Sequence, residues 1–315
     1  MSYFFRTIRL ISALLIMSTT DCAATVSSGN GAVAEKKFLQ MLVEGETRSF
    51  IVYKPSSATT SLAPPLMIVL HGGLGNAAAM ERTSGMDNVA AKEGFIVVYP
   101  NGTGPKYAIR RQVKNRRTWN AGSCCGPAVR FNVDDVAFIS NLIDKMQRVY
   151  GIDPRRVYVA GFSNGAMLAY RLACEIPEKI TAIIAVSGTL AVDSCSDKAN
   201  QVAVLHIHGE MDDNVPYKGG MGHNSRAGVR HRSVDETVRM MTATRDCAPP
   251  KVEILHGVIK HTTYTCANGA PFELITIKNG KHIWPGGHGR RNTPEDGRYI
   301  SASKTAWNFA KKITR

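Results

Sequence analysis

Residues 157–165 read V-Y-V-A-G-F-S-N-G, and this stretch restricts the fold more than any other part of the chain. An apolar, β-rich run from Val157 to Ala160 feeds Gly161-Phe162-Ser163-Asn164-Gly165, and a helix-compatible segment continues through Ala173. A strand that passes through a sharp turn straight into a helix belongs to a layered α/β architecture. Glycines two residues either side of the serine let the backbone turn tightly, so the Ser163 hydroxyl stands exposed beyond the strand end. The pentapeptide alone arises often by chance. Its weight comes from the strand before it, the helix after it and the residues downstream.

A serine hydroxyl is a poor nucleophile near neutral pH, so it needs a base, and the base needs an orienting group. The next strand-like run, residues 202–207, ends in His208-Gly209-Glu210-Met211-Asp212-Asp213-Asn214-Val215-Pro216-Tyr217. A carboxylate just past a strand's carboxyl end sits where such a sheet gathers its catalytic side chains. Asp212 is the expected acid, with Asp213 in reserve. A third run, residues 272–277, is followed five residues later by His282, with Gly280, Gly286 and Gly287 around it. Three strand ends thus deliver nucleophile, acid and base in the chain order Ser, Asp, His.

The attacked carbonyl becomes an oxyanion that requires preorganised N–H donors. One expected donor is the backbone N–H of Asn164, directly after the nucleophile. The other comes from the loop His71-Gly72-Gly73-Leu74-Gly75-Asn76 after the run Leu66 to Leu70. Gly73 is the expected donor there, with Leu74 as the neighbour that takes its place. His71 is expected to hold this loop by hydrogen bonds, and His206 and His208 to finish a buried strand.

L-H-G-G-L-G-N, T-W-N-A-G-S-C-C-G, G-F-S-N-G-A, H-G-x-x-D-x-x-V-P-Y and G-K-H-I-W-P-G-G occur in that order. Together they resemble the secreted polyhydroxybutyrate depolymerase and feruloyl esterase family of α/β-hydrolases, from about Lys36 to the last residue. The resemblance implies a single α/β-hydrolase domain with a mostly parallel central sheet and helices on both faces. It implies the triad Ser163, Asp212 and His282, oxyanion donors at Gly73 and Asn164, and substrate-side aromatics at Trp119 and Trp284. The implied substrates are 3-hydroxyacid polyesters or their oligomers, or feruloyl and acetyl esters on plant polysaccharide. Lys281 stands where the family often has glycine.

At 315 residues and 44% hydrophobic the chain can bury a full core, and its strand and helix alternation favours one domain. Arg6 and Arg9 precede an apolar core at residues 10–17, and Cys22-Ala23-Ala24 offers a cleavage site, so residues 1–24 read as an export signal. Residues 25–35 read as a flexible leader and 36–315 as the catalytic domain. The product is expected outside the cell or in the periplasm, without stable membrane insertion.

Beyond Cys22 the cysteines are Cys124, Cys125, Cys174, Cys195, Cys247 and Cys266. An even set in an exported chain reads as three disulfides. Cys247 and Cys266 flank a β-rich excursion and are expected to pair, closing a loop worth ~3 kcal/mol. The other four form two bridges, with adjacent Cys124 and Cys125 expected to reach different partners because a vicinal ring is strained. There is no C-x-x-C pair and no matched histidine spacing, so no metal is expected, and the serine acyl-enzyme chemistry requires no organic cofactor.

The formal net charge is +14. Basic residues cluster at 106–117, at 218–232 and around His282 with Lys278, Lys281, Arg290 and Arg291. All follow proposed site strands, so a cationic rim that attracts an anionic polymer or surface is expected. Few aromatics interleave the clusters, so a nucleic-acid partner is not. Asp134 and Asp135 read as the start of a helix over residues 136–149. Two rivals remain: a peptidase, because the same triad cuts amides, and a binding protein on a hydrolase scaffold without turnover.

Overall fold

The computed structural model describes residues 24–26, 33–60, 63–104, 115–267, 269–288 and 298–315, with backbone alone at 24–26 and 59–60. The expected export signal up to residue 23 and most of the first basic cluster lie outside the described residues.

The strands are β1 (Ala24–Val26), β2 (Ala34–Val43), β3 (Glu46–Lys54), β4 (Leu66–Leu70), β5 (Ile96–Pro100) and β6 (Val157–Phe162). They continue with β7 (Ala182–Val186), β8 (Ala203–Gly209), β9 (Lys251–Leu255), β10 (Ile259–Tyr264) and β11 (Phe272–Ile277). They form one sheet in the order β1-β2-β3-β5-β4-β6-β7-β8-β11-β10-β9. The block from β5 to β11 is parallel throughout. Antiparallel meanders extend it at both edges. The chain is therefore an α/β-hydrolase with a parallel centre. Ala24–Val26, within what reads as signal junction and leader, pairs with Ala34–Lys36.

Every residue of β4, β5 and β7 is buried, which is why these strands read as unbroken apolar runs rather than alternating ones. Alternate side chains serve opposite faces. Val157 and Val159 join a core under α4 (Asp135–Tyr150), α5 (Asn164–Glu175) and α6 (Val234–Thr242). Tyr158 and Ala160 join a second core under α1 (Ala77–Ser84), α2 (Met86–Glu93) and α7 (Ala302–Ala310). A short α3 (Gly126–Arg130) precedes α4. Side-chain caps start the helices: Asn76 accepts from Ala79 N–H, Asp134 from Ala137, Ser233 from Glu236 and Ser301 from Lys304.

Asp134 is the expected cap, whereas Asp135 is fully buried in an ion pair. Arg48 on β3 reaches its Oδ1 at 2.5 Å, and Asn120 N–H donates to its Oδ2 at 2.7 Å. The Arg48 guanidinium also lies 4.0 Å above the Phe138 ring. Removing one partner of a buried pair strands the other charge, so Arg48→Met is expected to cost about 3–5 kcal/mol in urea unfolding. A cost below about 1 kcal/mol would show that Asp135 is not held as a charge.

Among the described residues three disulfides are present: Cys247–Cys266, Cys174–Cys195 and Cys124–Cys125. The first closes the β9–β10 excursion as expected. The expectation that Cys124 and Cys125 reach different partners is corrected. Cys174, at the end of α5, lies 4.6 Å in Cα distance from Cys195 and takes it, which leaves the adjacent pair to each other.

Candidate active site

Ser163 occupies the turn between β6 and α5 with φ 55° and ψ −120°, a conformation that L side chains rarely adopt. Its N–H is fixed to Val186 O at 2.8 Å, on the neighbouring strand. Two glycines make the turn fit. A Cβ at Gly165 would lie 2.6 Å from the carbonyl oxygens of Leu70 and His71, and one at Gly161 would strike the Gly165 backbone. Residues 161 and 165 thus carry no side chain because other backbone occupies the space.

The three side chains that the sequence singles out meet here. Ser163 Oγ and His282 Nε2 are 3.0 Å apart, and His282 Nδ1 and Asp212 Oδ2 are 2.7 Å apart. An ionised carboxylate only accepts, so His282 Nδ1–H donates to Asp212 and Nε2 is left to accept from the serine hydroxyl. Asp212 is 4% exposed. Its Oδ1 accepts from Asn214 N–H at 3.0 Å and Val215 N–H at 2.8 Å. Burial pushes the Asp212 carboxyl up. The hydrogen bond and charge of His282, with His208 and the Val215 N–H, outweigh that and hold it below the ordinary value. Asp213 is exposed and turns to Asn224 instead.

The loop after β4 lies against the turn, because a Cβ at Gly72 would be 3.3 Å from Ser163 Cβ, and one at Gly73 would be 3.7 Å from Asn164 Cβ. Gly73 N–H and Asn164 N–H have no acceptor among the described residues. Leu74 N–H donates to Arg117 O at 2.7 Å. Leu74 as an alternative oxyanion donor is therefore corrected, since its hydrogen is already in use.

Trp119 and Trp284 also require correction as substrate-side aromatics. They are 0% and 1% exposed, and their indole N–H groups are satisfied inside the protein. Trp284 donates to Ser303 Oγ at 3.0 Å. Trp119 braces the site from behind. Its Nε1–H donates to His71 O at 2.8 Å, while its backbone N–H donates to Asn164 Oδ1 at 2.7 Å and its carbonyl accepts from Asn164 Nδ2 at 3.1 Å. One residue thus ties the Gly73 loop to the residue after the nucleophile. The signal for this was the T-W-N motif itself, which aromatic chemistry led toward the substrate.

His71 holds its loop as expected: Gly102 N–H donates to Nε2 at 3.0 Å, so Nδ1–H donates to Gly72 O at 2.8 Å. Burial, which outweighs the Gly72 bond, drops its pKa to about 4. His206 and His208 are fully buried on β8, and burial lowers both. The unfolded chain protonates these three imidazoles below about pH 6.5 while the fold resists it, so the unfolded state binds more protons as pH drops. Stability is therefore expected to fall below about pH 6.5, with each histidine contributing a slope approaching ~1.4 kcal/mol per pH unit. For His71 that slope persists until its folded pKa of about 4. The partly exposed His261, raised by its bond to Glu273, opposes this weakly. Urea melts at pH 7, 6 and 5 measure the slope, and an unchanged midpoint would contradict it.

The expected cationic rim divides. Arg117 is built into the loop, with its N–H on Gly75 O and its guanidinium on Gly102 O at 2.9 Å. Arg232 pairs with Asp193 and Glu236. Lys218, Arg226, Arg230, Lys278 and Lys281 remain exposed. No cluster of metal-binding side chains occurs among the described residues, and no helix there is long and apolar enough to cross a membrane.

The sequence matches the phospholipase/carboxylesterase family over residues 57–228, more than half of the chain. The chain belongs to that family. Among its relatives is feruloyl esterase B of Piromyces equi, 27% identical over 85% of this chain and 45% of that protein. Another is a bifunctional acetylxylan esterase/xylanase of Neocallimastix patriciarum, 33% identical over 56% of this chain and 23% of that protein. The chain spans less than half the length of either. An acetyl xylan esterase structure from Aspergillus awamori superposes with a TM-score of 0.57 over 79% of this chain and 95% of that one, at 18% identity. At that identity the likeness shows the shared fold of this phospholipase/carboxylesterase family member.

Proposed function

We propose that this protein is an exported serine ester hydrolase working through an acyl-enzyme. The observation that carries the reading is the unbroken line from Ser163 Oγ to His282 at 3.0 Å and on to Asp212 at 2.7 Å. Ser163 attacks the ester carbonyl as His282 Nε2 takes its proton, and Asp212 stabilises the imidazolium. The N–H groups of Gly73 and Asn164 receive the oxyanion. The alcohol leaves with the proton from His282, which then activates water to release the acid. No cofactor enters these steps.

For the substrate, the two named relatives favour feruloyl and acetyl esters of plant polysaccharide. The motif order also supports 3-hydroxybutyrate polyesters or oligomers as a second reading. The site residues all fall from Lys36 onward, which supports a single catalytic domain there. Three disulfides support export, because such bonds persist in oxidising compartments. The exposed lysines and arginines fit an acidic polymer or surface as partner.

The test is hydrolysis by the mature protein of methyl ferulate, acetylated xylan, 3-hydroxybutyrate oligomers, amorphous polyhydroxybutyrate and a peptide amide. Ferulate or acetyl preference supports the first reading, and hydroxybutyrate preference supports the second. Turnover of the amide alone, or of nothing by folded protein, rejects the ester hydrolase.

A further inference from the structure

A second line of buried hydrogen bonds runs from the nucleophile's helix to the triad acid. Tyr170 Oη on α5 lies 2.6 Å from His206 Nδ1, His206 Nε2 lies 2.9 Å from His208 Nδ1, and His208 Nε2 lies 2.8 Å from Val215 O. Both histidines and Tyr170 are fully buried, and none of them enters the reaction steps.

The polarity of this line follows from its last member. A backbone carbonyl only accepts, so His208 carries its hydrogen on Nε2 and its Nδ1 must accept. His206 therefore donates from Nε2, its Nδ1 accepts, and the Tyr170 hydroxyl donates. Each group has a single protonation state consistent with its neighbours. The line then ends on the acid by two routes. His208 Nε2 is 3.4 Å from Asp212 Oδ2, the oxygen that receives His282. Val215, whose carbonyl His208 holds, gives its own N–H to Asp212 Oδ1 at 2.8 Å. Stacking of the two imidazoles at 5.2 Å and the edge of Tyr217 at 5.8 Å keep the rings in place.

We propose that His208 is a positioning residue for the Ser163–His282–Asp212 triad, fixing Asp212 through Val215 in the tautomer that the Val215 carbonyl requires and that His206 and Tyr170 reinforce. This rests on the ester hydrolase reading above. A carboxylate that must hold an imidazole within a fraction of an ångström of attack geometry needs its own support, and misplacement by ~1 Å costs on the order of 100-fold. The line also fastens β8, whose end leads into the turn that carries the acid, to α5, which starts one residue after the nucleophile.

The test uses His208→Gln and His208→Met in the full mature protein, with active serines counted by an organophosphonate. A glutamine amide can place an N–H near the imidazole Nε2 position and keep the bond to Val215, whereas methionine fills the space without a donor. His208→Met is expected to lose ~30-fold or more in kcat per active serine with KM within about twofold, the pattern of a lost transition-state interaction. His208→Gln is expected to stay within about threefold of the parent. Parental kcat in His208→Met, or equal damage in both variants, overturns the proposal. If His208→Met does not fold, Tyr170→Phe decides: a lower kcat at constant KM supports the proposal, and an unchanged kcat overturns it. Ser163→Ala in the same assay separates the two ideas. Turnover that survives there overturns the triad, whereas parental His208→Met activity with a dead Ser163→Ala overturns only the positioning role.

Discussion

Ser163→Ala is expected to lower kcat for a soluble ester by about 10⁴- to 10⁶-fold while the protein stays folded. The size follows from the unit that is dismantled. Without Oγ, His282 has no proton to take and no acyl-enzyme forms, so only the oxyanion donors and substrate binding still act. Folding is spared for local reasons. Among the described residues the serine hydroxyl bonds to His282 alone, and the backbone anchor from Ser163 N–H to Val186 O survives the change. Initial rates with matched circular dichroism and melting curves measure both halves. Residual activity above about 1% would remove Ser163 from the mechanism.

Asp212→Asn is expected to cost about 10³- to 10⁴-fold in kcat, comparable to loss of the correct tautomer in serine hydrolases generally. The direction comes from the donors around the carboxylate. Asn214 and Val215 present N–H groups to Oδ1, so the amide oxygen of an asparagine must stay there. That turns its NH₂ toward His282 Nδ1, which then accepts instead of donating. The ring hydrogen moves to Nε2, and the histidine can no longer receive the serine proton. His208 Nε2–H, 3.4 Å from Oδ2, would also face a second donor. Asp213→Asn is expected to stay within about twofold, since Asp213 is turned to Asn224. Kinetics of both variants across pH 6–9 check this, and the reverse ranking would make Asp213 the acid.

The fold and the meeting of Ser163, His282 and Asp212 were legible because both are written in local patterns. Strands buried on both faces must be apolar throughout, so Leu66–Leu70 announces itself, whereas the equally apolar Ala182–Val186, which holds no site residue, is passed over in favour of the run at 202–207. The turn at Ser163 needs glycines at fixed offsets, and the chain order of the three residues does the rest. What was not legible depends on packing. An aromatic next to a motif does not reveal which way it points, and Trp119 and Trp284 point inward to satisfy their N–H groups. Cysteine pairing depends on Cα distances, so Cys195 was not visibly the partner of Cys174. The Leu74 N–H was taken by Arg117, some forty residues downstream in the sequence. The link from Tyr170 through His206 to His208 joins a helix to a strand, and no spacing rule in the sequence marks it.

The backbone at Ser163 also has a consequence for how this enzyme can change. A serine held at φ 55° sits in a conformation that a side chain disfavours, while glycine adopts it freely. Ser163→Gly is accordingly expected to melt no lower than Ser163→Ala, and screening for heat resistance alone would tolerate a dead enzyme. Improvement by directed evolution therefore needs turnover in every round, because thermal hardiness and chemistry pull this one position in opposite directions.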